Sequence, residues 1–247
     1  LKAVDSVRWI PENSKNRMNS MVADRPDWLV SRQRAWGVPI TVFVHKGTND
    51  LLMDPAVNQR IATAVEQSGA DAWYTADIQE LLGDKYNAND YEQVSDILDV
   101  WFDSGSMPYA QWHYPFENKE KVENIWRKAD FIAEGVDQTR GWFYTLHAIA
   151  TMIFDDVAYK NVVSNGLVLD KNGQKMSKRL GNATDPFETL DKYGPDATRW
   201  YMISNANPWD NLKFDIDGIG EVRNKFFGTL YNTYNFFALY ANLDGFT

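Results

Sequence analysis

The stretch from Ala129 to Leu169 constrains this chain more than any other. Ala129-Asp130-Phe131-Ile132-Ala133 is a short apolar run suited to a buried parallel strand, and it ends at Glu134-Gly135. A helical face follows, with Trp142, Leu146, Ile149 and Ile153 on one side, widened by Phe143 and Ala150. Val162-Val163 and Leu167-Val168-Leu169 then return to a strand pattern before the turn Asp170-Lys171-Asn172-Gly173. Strand, crossover helix and strand form the unit from which doubly wound parallel sheets are built, so the predicted fold class is α/β. Ligands of such sheets bind beyond the carboxyl ends of the strands, and Glu134 to Gln138 occupies one such end.

Around this unit the pattern changes. Ile40-Thr41-Val42-Phe43-Val44 is β-rich and runs into a hairpin-type turn, His45-Lys46-Gly47-Thr48-Asn49-Asp50. Residues 55–68 read as a helix with Val57, Ile61 and Val65 in a narrow stripe, and Asp84 to Asp96 reads as polar loop. Segment 45–95 therefore looks like a small α+β insertion on a larger domain. Helices are predicted around 186–192 and from Pro195, a residue suited to a first helical turn. Residues 217–243 form a long amphipathic helix with Val222, Phe226, Leu230, Tyr234 and Phe237 on one face, a face wide enough to need partners.

The 247 residues are 44% hydrophobic and 14% aromatic, which is enough for a sizeable core and excludes wholesale disorder. Net charge is −9, so the chain lacks the global basic character of a protein that grips polyanions with its whole surface. There is no cysteine, which removes disulfides and thiolate metal sites and fits a cytoplasmic setting. No apolar run suggests a membrane span, and the start, Leu1-Lys2-Ala3-Val4-Asp5, has no signal-peptide core. Position 1 is not Met, and the chain reads as a piece of a longer protein.

Within this acidic chain, Lys171, Lys175, Lys178 and Arg179 cluster in the segment Lys175-Met176-Ser177-Lys178-Arg179-Leu180-Gly181-Asn182 and just before it. Gly173 and Gly181 bracket the stretch and permit movement. A loop that brings ammonium groups to a polyphosphate would stabilise charge developing in nucleotidyl transfer. For an arbitrary charged loop, a solvated turn is the commoner explanation. His45, His113 and His147 have no metal-ligand spacing and receive no role, and Asp155-Asp156 reads as helix-end solvation rather than a metal site.

Lys-Met-Ser-Lys-Arg resembles the Lys-Met-Ser-Lys-Ser signature of the class I aminoacyl-tRNA synthetases, and its neighbours agree. Asp99-Val100-Trp101-Phe102-Asp103-Ser104-Gly105-Ser106 resembles the isoleucine-type form of a segment shared with the valine and leucine enzymes. Glu134-Gly135-Val136-Asp137-Gln138-Thr139-Arg140-Gly141-Trp142-Phe143 is similar to the family's adenylate-binding segment. Asp27-Trp28-Leu29-Val30-Ser31-Arg32-Gln33-Arg34-Ala35-Trp36-Gly37-Val38-Pro39 resembles its return strand after the editing insertion.

The resemblance implies the second half of a Rossmann-like catalytic domain, in residues 27–44 and 96–214. Residues 1–26 would be the return segment from the editing insertion, 45–95 a connective insertion, and 215–247 the first helix of an anticodon-binding bundle. It further implies ATP-dependent activation of L-isoleucine and transfer to tRNA(Ile), with Mg²⁺ arriving on ATP, no zinc site in this piece and a monomeric parent. Lys175 and Lys178 would be catalytic and, with Ser177, bind ATP. Glu134, Gly135, Asp137 and Gln138 would hold the aminoacyl-adenylate, and Trp101 and Trp142 would wall the isoleucine pocket. Arg179 departs from the commoner Ser. The family's His-Ile-Gly-His motif is not in the sequence, so the chain alone is expected to be inactive. A valine-specific enzyme and a non-catalytic module that binds nucleotide or RNA remain as alternative readings.

Overall fold

Valine-rich Asn161–Asn165 forms the middle strand of a three-stranded, all-parallel sheet, flanked by Arg8–Ile10 on one side and Ile132–Gly135 on the other. Trp9 and Ile132 both register with Val162, while Glu134 registers with Ser164 and Gly135 with Asn165. Val162 and Ser164 point to one buried face of that strand. Trp9 closes the sheet edge: its indole N–H donates to the Val4 carbonyl at 3.2 Å and its ring meets Tyr159 edge-on. The computed structural model describes residues 1–246 and divides them into two compact units interleaved in sequence. The sheet belongs to the unit formed by Lys2–Asn19, Ala129–Thr139 and Tyr159 onward.

In the same unit Val168–Leu169 pairs in parallel with Leu212–Lys213. Gly166 makes this possible: a Cβ there would lie 2.1 Å from the Asp210 carbonyl oxygen. Helix Pro186–Tyr193 begins where Asp185 accepts hydrogen bonds from the Phe187 and Glu188 N–H groups and Pro186 tolerates the donor-free first turn. Helix Pro195–Ser204 follows, packing Ala197 and Tyr201 against Ile219. The Tyr201 hydroxyl donates to the Lys213 carbonyl and accepts from the Asp215 N–H, tying helix to strand.

The other unit contains Ser20–Lys128 and Arg140–Ala158. Its smaller part pairs Phe43–His45 antiparallel with Tyr91–Gln93. Over this ribbon helix Pro55–Ser68 packs Val57 and Ile61 into a cluster with Phe43, Trp73, Leu81 and Leu82. Elsewhere in the unit, helices Val100–Ala110 and Trp142–Phe154 lie in close contact. Gly105 sets their spacing, because a Cβ would sit 2.9 Å from Ile149 Cδ1 and 3.1 Å from the Thr145 carbonyl carbon.

Several expectations need adjustment. Residues 91–93, expected as loop, form a strand; Tyr-Glu-Gln on a two-stranded ribbon shows no apolar alternation to reveal it. The strand expected at 129–133 is Ile132–Gly135, with Phe131 exposed. Ala129 still bridges Tyr159, but the chain bends at Asp130, whose carboxylate pairs with Lys160 at 2.7 Å. Ile153 is 48% exposed rather than on the buried face, which runs through Tyr144 and His147 instead. The C-terminal helical stretch is three segments, Ile216–Glu221, a π-helical Val222–Phe227 and Gly228–Asp244, and the last has no buried residue. Among the described residues, no helix is long and apolar enough to cross a membrane.

Candidate functional site

Parallel strands leave their last N–H and C=O groups and the next turn facing whatever lies beyond the carboxyl edge. Here that edge presents Glu134 and Gly135, followed by the turn Val136–Arg140. The Glu134 side chain is exposed, and among the described residues it has no hydrogen-bond or ion-pair partner. Asp137 folds back over Gly135, where a Cβ would stand 2.5 Å from Asp137 Oδ1, so no other residue fits without moving that carboxylate. Gln138 Nε2 donates to Asp137 Oδ2 at 3.2 Å. Buried Thr139 donates to the Val136 carbonyl at 2.9 Å and fixes the turn. Glu134, Gly135, Asp137 and Gln138 are therefore one contiguous acidic rim.

Ser164 belongs to the same edge and carried no signal in the sequence. It registers with Glu134, is 2% exposed, and its hydroxyl has no hydrogen-bond partner.

The basic loop lies in the same unit. Asp170 starts it: its Oδ1 accepts from the Asn172 and Gln174 N–H groups, and its backbone N–H donates to the Gln174 carbonyl. These bonds, the Gln174 N–H first and the Asn182 side chain next, hold the Asp170 carboxyl below the usual carboxylate range. Gly173 and Gly181 both have positive φ, +84° and +66°, so each turn requires glycine as well as admitting movement. Ser177 caps a short turn, Lys178–Leu180, by accepting the Leu180 N–H. Its own N–H donates to Asn182 Oδ1 at 2.9 Å. Lys175, Lys178 and Arg179 are exposed, and among the described residues neither lysine ammonium has a hydrogen-bond or ion-pair partner. Beneath the loop lies an apolar cavity of about 340 Å³ lined by Met176, Thr184, Leu190, Met202 and Phe214.

Trp101 and Trp142 lie in the other unit, on two helices in close contact. Trp101 is in the first turn of helix Val100–Ala110, 42% exposed, and Trp142 opens helix Trp142–Phe154. Trp142 Nε1 donates to the Ser104 carbonyl at 3.0 Å, locking one helix start to the other helix. Asp99 anchors Trp101. Only 4% exposed, it accepts from the Trp101 N–H at 3.0 Å, from Trp28 Nε1 at 3.1 Å and from Arg32 Nη2 at 2.6 Å. Burial, together with the nearby Asp99 charge, pushes the Asp103 carboxyl up. The sequence showed Asp99 only as the start of a motif; its anchoring role needed the distant Trp28 and Arg32.

The remaining singled-out residues are structural. Asp156 pairs with Arg127 and Lys128 at 3.0 and 2.6 Å, and Asp155 ends its helix in the left-handed region. His147 is buried in the helix core. Among the described residues no group of three His, Asp or Glu side chains is arranged to hold a metal.

Comparison with known proteins identifies the family and the fold. Residues 1–215 match the family described as tRNA synthetases class I (I, L, M and V). An isoleucine–tRNA ligase of Cytophaga hutchinsonii is 53% identical over 98% of the chain, which spans 22% of that relative's length. A ternary complex of Agrobacterium radiobacter K84 LeuRS, tRNA and LeuAMS superposes with a TM-score of 0.58 at 21% identity, over 81% of this chain and 27% of that one. Mycobacterium tuberculosis methionyl-tRNA synthetase with methionyl-adenylate also gives 0.58, at 19% identity over 90% of this chain and 34% of that one. These two likenesses establish the fold.

Proposed function

The chain belongs to the class I tRNA synthetases, and from that premise we propose that it forms part of an isoleucine–tRNA ligase. In this reading a carboxylate oxygen of L-isoleucine attacks the α-phosphorus of Mg²⁺-bound ATP. The new P–O bond gives isoleucyl-adenylate, the bond to the β-phosphate breaks, and pyrophosphate leaves. The isoleucyl group then passes to tRNA(Ile). No covalent enzyme intermediate is needed, so catalysis is positioning and electrostatics.

The observation that carries the proposal is the acidic rim at a parallel strand's carboxyl edge, in the same unit as a loop offering two unpaired lysine ammoniums. Glu134 and Asp137 would accept hydrogen bonds from the substrate ammonium or ribose hydroxyls, with Gly135 allowing close approach and Gln138 donating to the adenylate. Lys175 and Lys178 would meet the phosphates, with the Ser177 turn setting their spacing. Trp101 and Trp142 would present rigid apolar walls to a branched aliphatic side chain. The high identity to isoleucine–tRNA ligases supports isoleucine over valine as the substrate.

The test is rapid-quench measurement of adenylate formation by the full-length enzyme containing this chain. Lys178→Ala should slow the step by on the order of 10²–10³-fold, the scale for losing one oriented charge-stabilising donor, with little change in isoleucine KM. Formation at the parental rate with poor transfer to tRNA would instead place the loop in RNA binding.

A further inference from the structure

Lysine is a poorly ordered catalytic group by nature, a point charge on a four-carbon stem, so a loop that uses two of them must fix their backbone. The bonds that do so converge on one side chain. Asn182 Oδ1 accepts the Ser177 N–H at 2.9 Å, while its Nδ2 donates to Asp170 Oδ2 at 2.9 Å and towards the Lys175 carbonyl at 3.3 Å. One amide thus grips the outgoing arm at 170 and 175 and the tip at 177 from the returning arm. Asp170 in turn organises the outgoing turn through the Asn172 and Gln174 N–H groups.

Resting on the reading of Lys175 and Lys178 as phosphate-binding groups, we propose that Asp170 and Asn182 are positioning residues that hold the backbone of both lysines at a fixed separation. Neither touches substrate in this account. Asn182 straddles Lys175 and Ser177, the residues on either side of Met176, so the loop base moves as a rigid piece and only the lysine stems adjust. Asp170 stays ionised across the working range, because its hydrogen bonds favour the charged form. Its bond to Asn182 is therefore charge-assisted and directional.

The orientation of this pair supplies the test. In the full-length enzyme, Asn182→Asp opposes two carboxylates and removes the donor to Asp170, while Asp170→Asn leaves two amides. The double exchange Asp170→Asn/Asn182→Asp restores a donor–acceptor pair with reversed polarity and still offers an oxygen to the Ser177 N–H. Asn182→Asp is expected to slow adenylate formation about 10–100-fold, the scale of a misplacement of roughly 1 Å, with isoleucine KM unchanged. The double exchange is expected to recover most of that rate. Combined with Lys178→Ala, Asn182→Asp should cost less than the product of the two separate losses, because part of its effect runs through Lys178.

If Lys178→Ala is slow but Asn182→Asp forms adenylate at the parental rate, the positioning role is wrong and the reading of the lysines stands. If the double exchange is no faster than Asn182→Asp, or the combination with Lys178→Ala is fully additive, the positioning role is likewise overturned. If Lys178→Ala itself is unimpaired, both fall. Because the double exchange rebuilds the pair, instability of a single variant does not shield the proposal.

Discussion

His147 gives the sharpest physical test of the unit that carries both tryptophans. It is 4% exposed in helix Trp142–Phe154, and its Nδ1 has no hydrogen-bond partner. Burial therefore lowers its pKa from 6.5 to about 4. A histidine depressed in the folded state stabilises the fold above its unfolded pKa, and that contribution is lost as pH falls through the folded value. The window runs from 6.5 down to about 4. Between about pH 7 and pH 5 the unfolded chain takes up nearly one proton that the folded chain refuses, a loss of about 2 kcal/mol. His147→Gln removes the titrating group, so its stability should change less between those two pH values, whatever its stability at neutral pH. Urea unfolding at both values, for the parent and the variant, measures the double difference. NMR titration of the imidazole, identified by its disappearance in His147→Gln, should give a midpoint near 4. A midpoint near 6.5 with the fold intact, or the same pH dependence in both proteins, refutes the reasoning.

Trp142→Ala in the full-length enzyme should raise isoleucine KM by the equivalent of about 3 kcal/mol, as for truncating a packed aromatic. Unchanged steady-state kinetics with a lower melting temperature would make Trp142 ordinary core. Gly166→Ala must force the strand apart from Asp210 and should cost about 1–3 kcal/mol, read from the urea midpoint; a midpoint equal to the parent's would show that the backbone gives way freely. The 247 residues alone, lacking the His-Ile-Gly-His motif, should show no isoleucine-dependent ATP–pyrophosphate exchange; measurable exchange would show that the chain holds a sufficient site.

What the sequence revealed and what it hid have a common physical origin. Helix 55–68 was legible to its ends because Asp54, Pro55 and Gly69 mark them and Val57 and Ile61 keep the helical period. The parallel strand at 161–165 was legible only through Val162-Val163, because its other three residues are polar. The ribbon strand Tyr91–Gln93 was not, since its pairing with Phe43–His45 lies some fifty residues back and leaves no local pattern. The same division runs through the candidate site. Glu134, Asp137, Lys175 and Lys178 announce themselves by charge within short motifs. Asn182, Asp99 and Ser164 gain their importance from partners fixed only in three dimensions: both arms of a loop, the Trp28–Arg32 pair, and a buried register position beside Glu134.

The strand order also has a consequence for synthesis on the ribosome. The central strand, Asn161–Asn165, is the last of its three to be made, and among the described residues the two outer strands, Arg8–Ile10 and Ile132–Gly135, pair only with it. Arg8–Ile10 must therefore wait while about 150 further residues emerge, on the order of ten seconds at ordinary translation rates. Throughout that delay Trp9 has no Tyr159 to pack against. These three strands cannot pair in the order in which they are made. Their pairing is one late, non-local event, and the apolar surface around Trp9 stays uncovered until it happens.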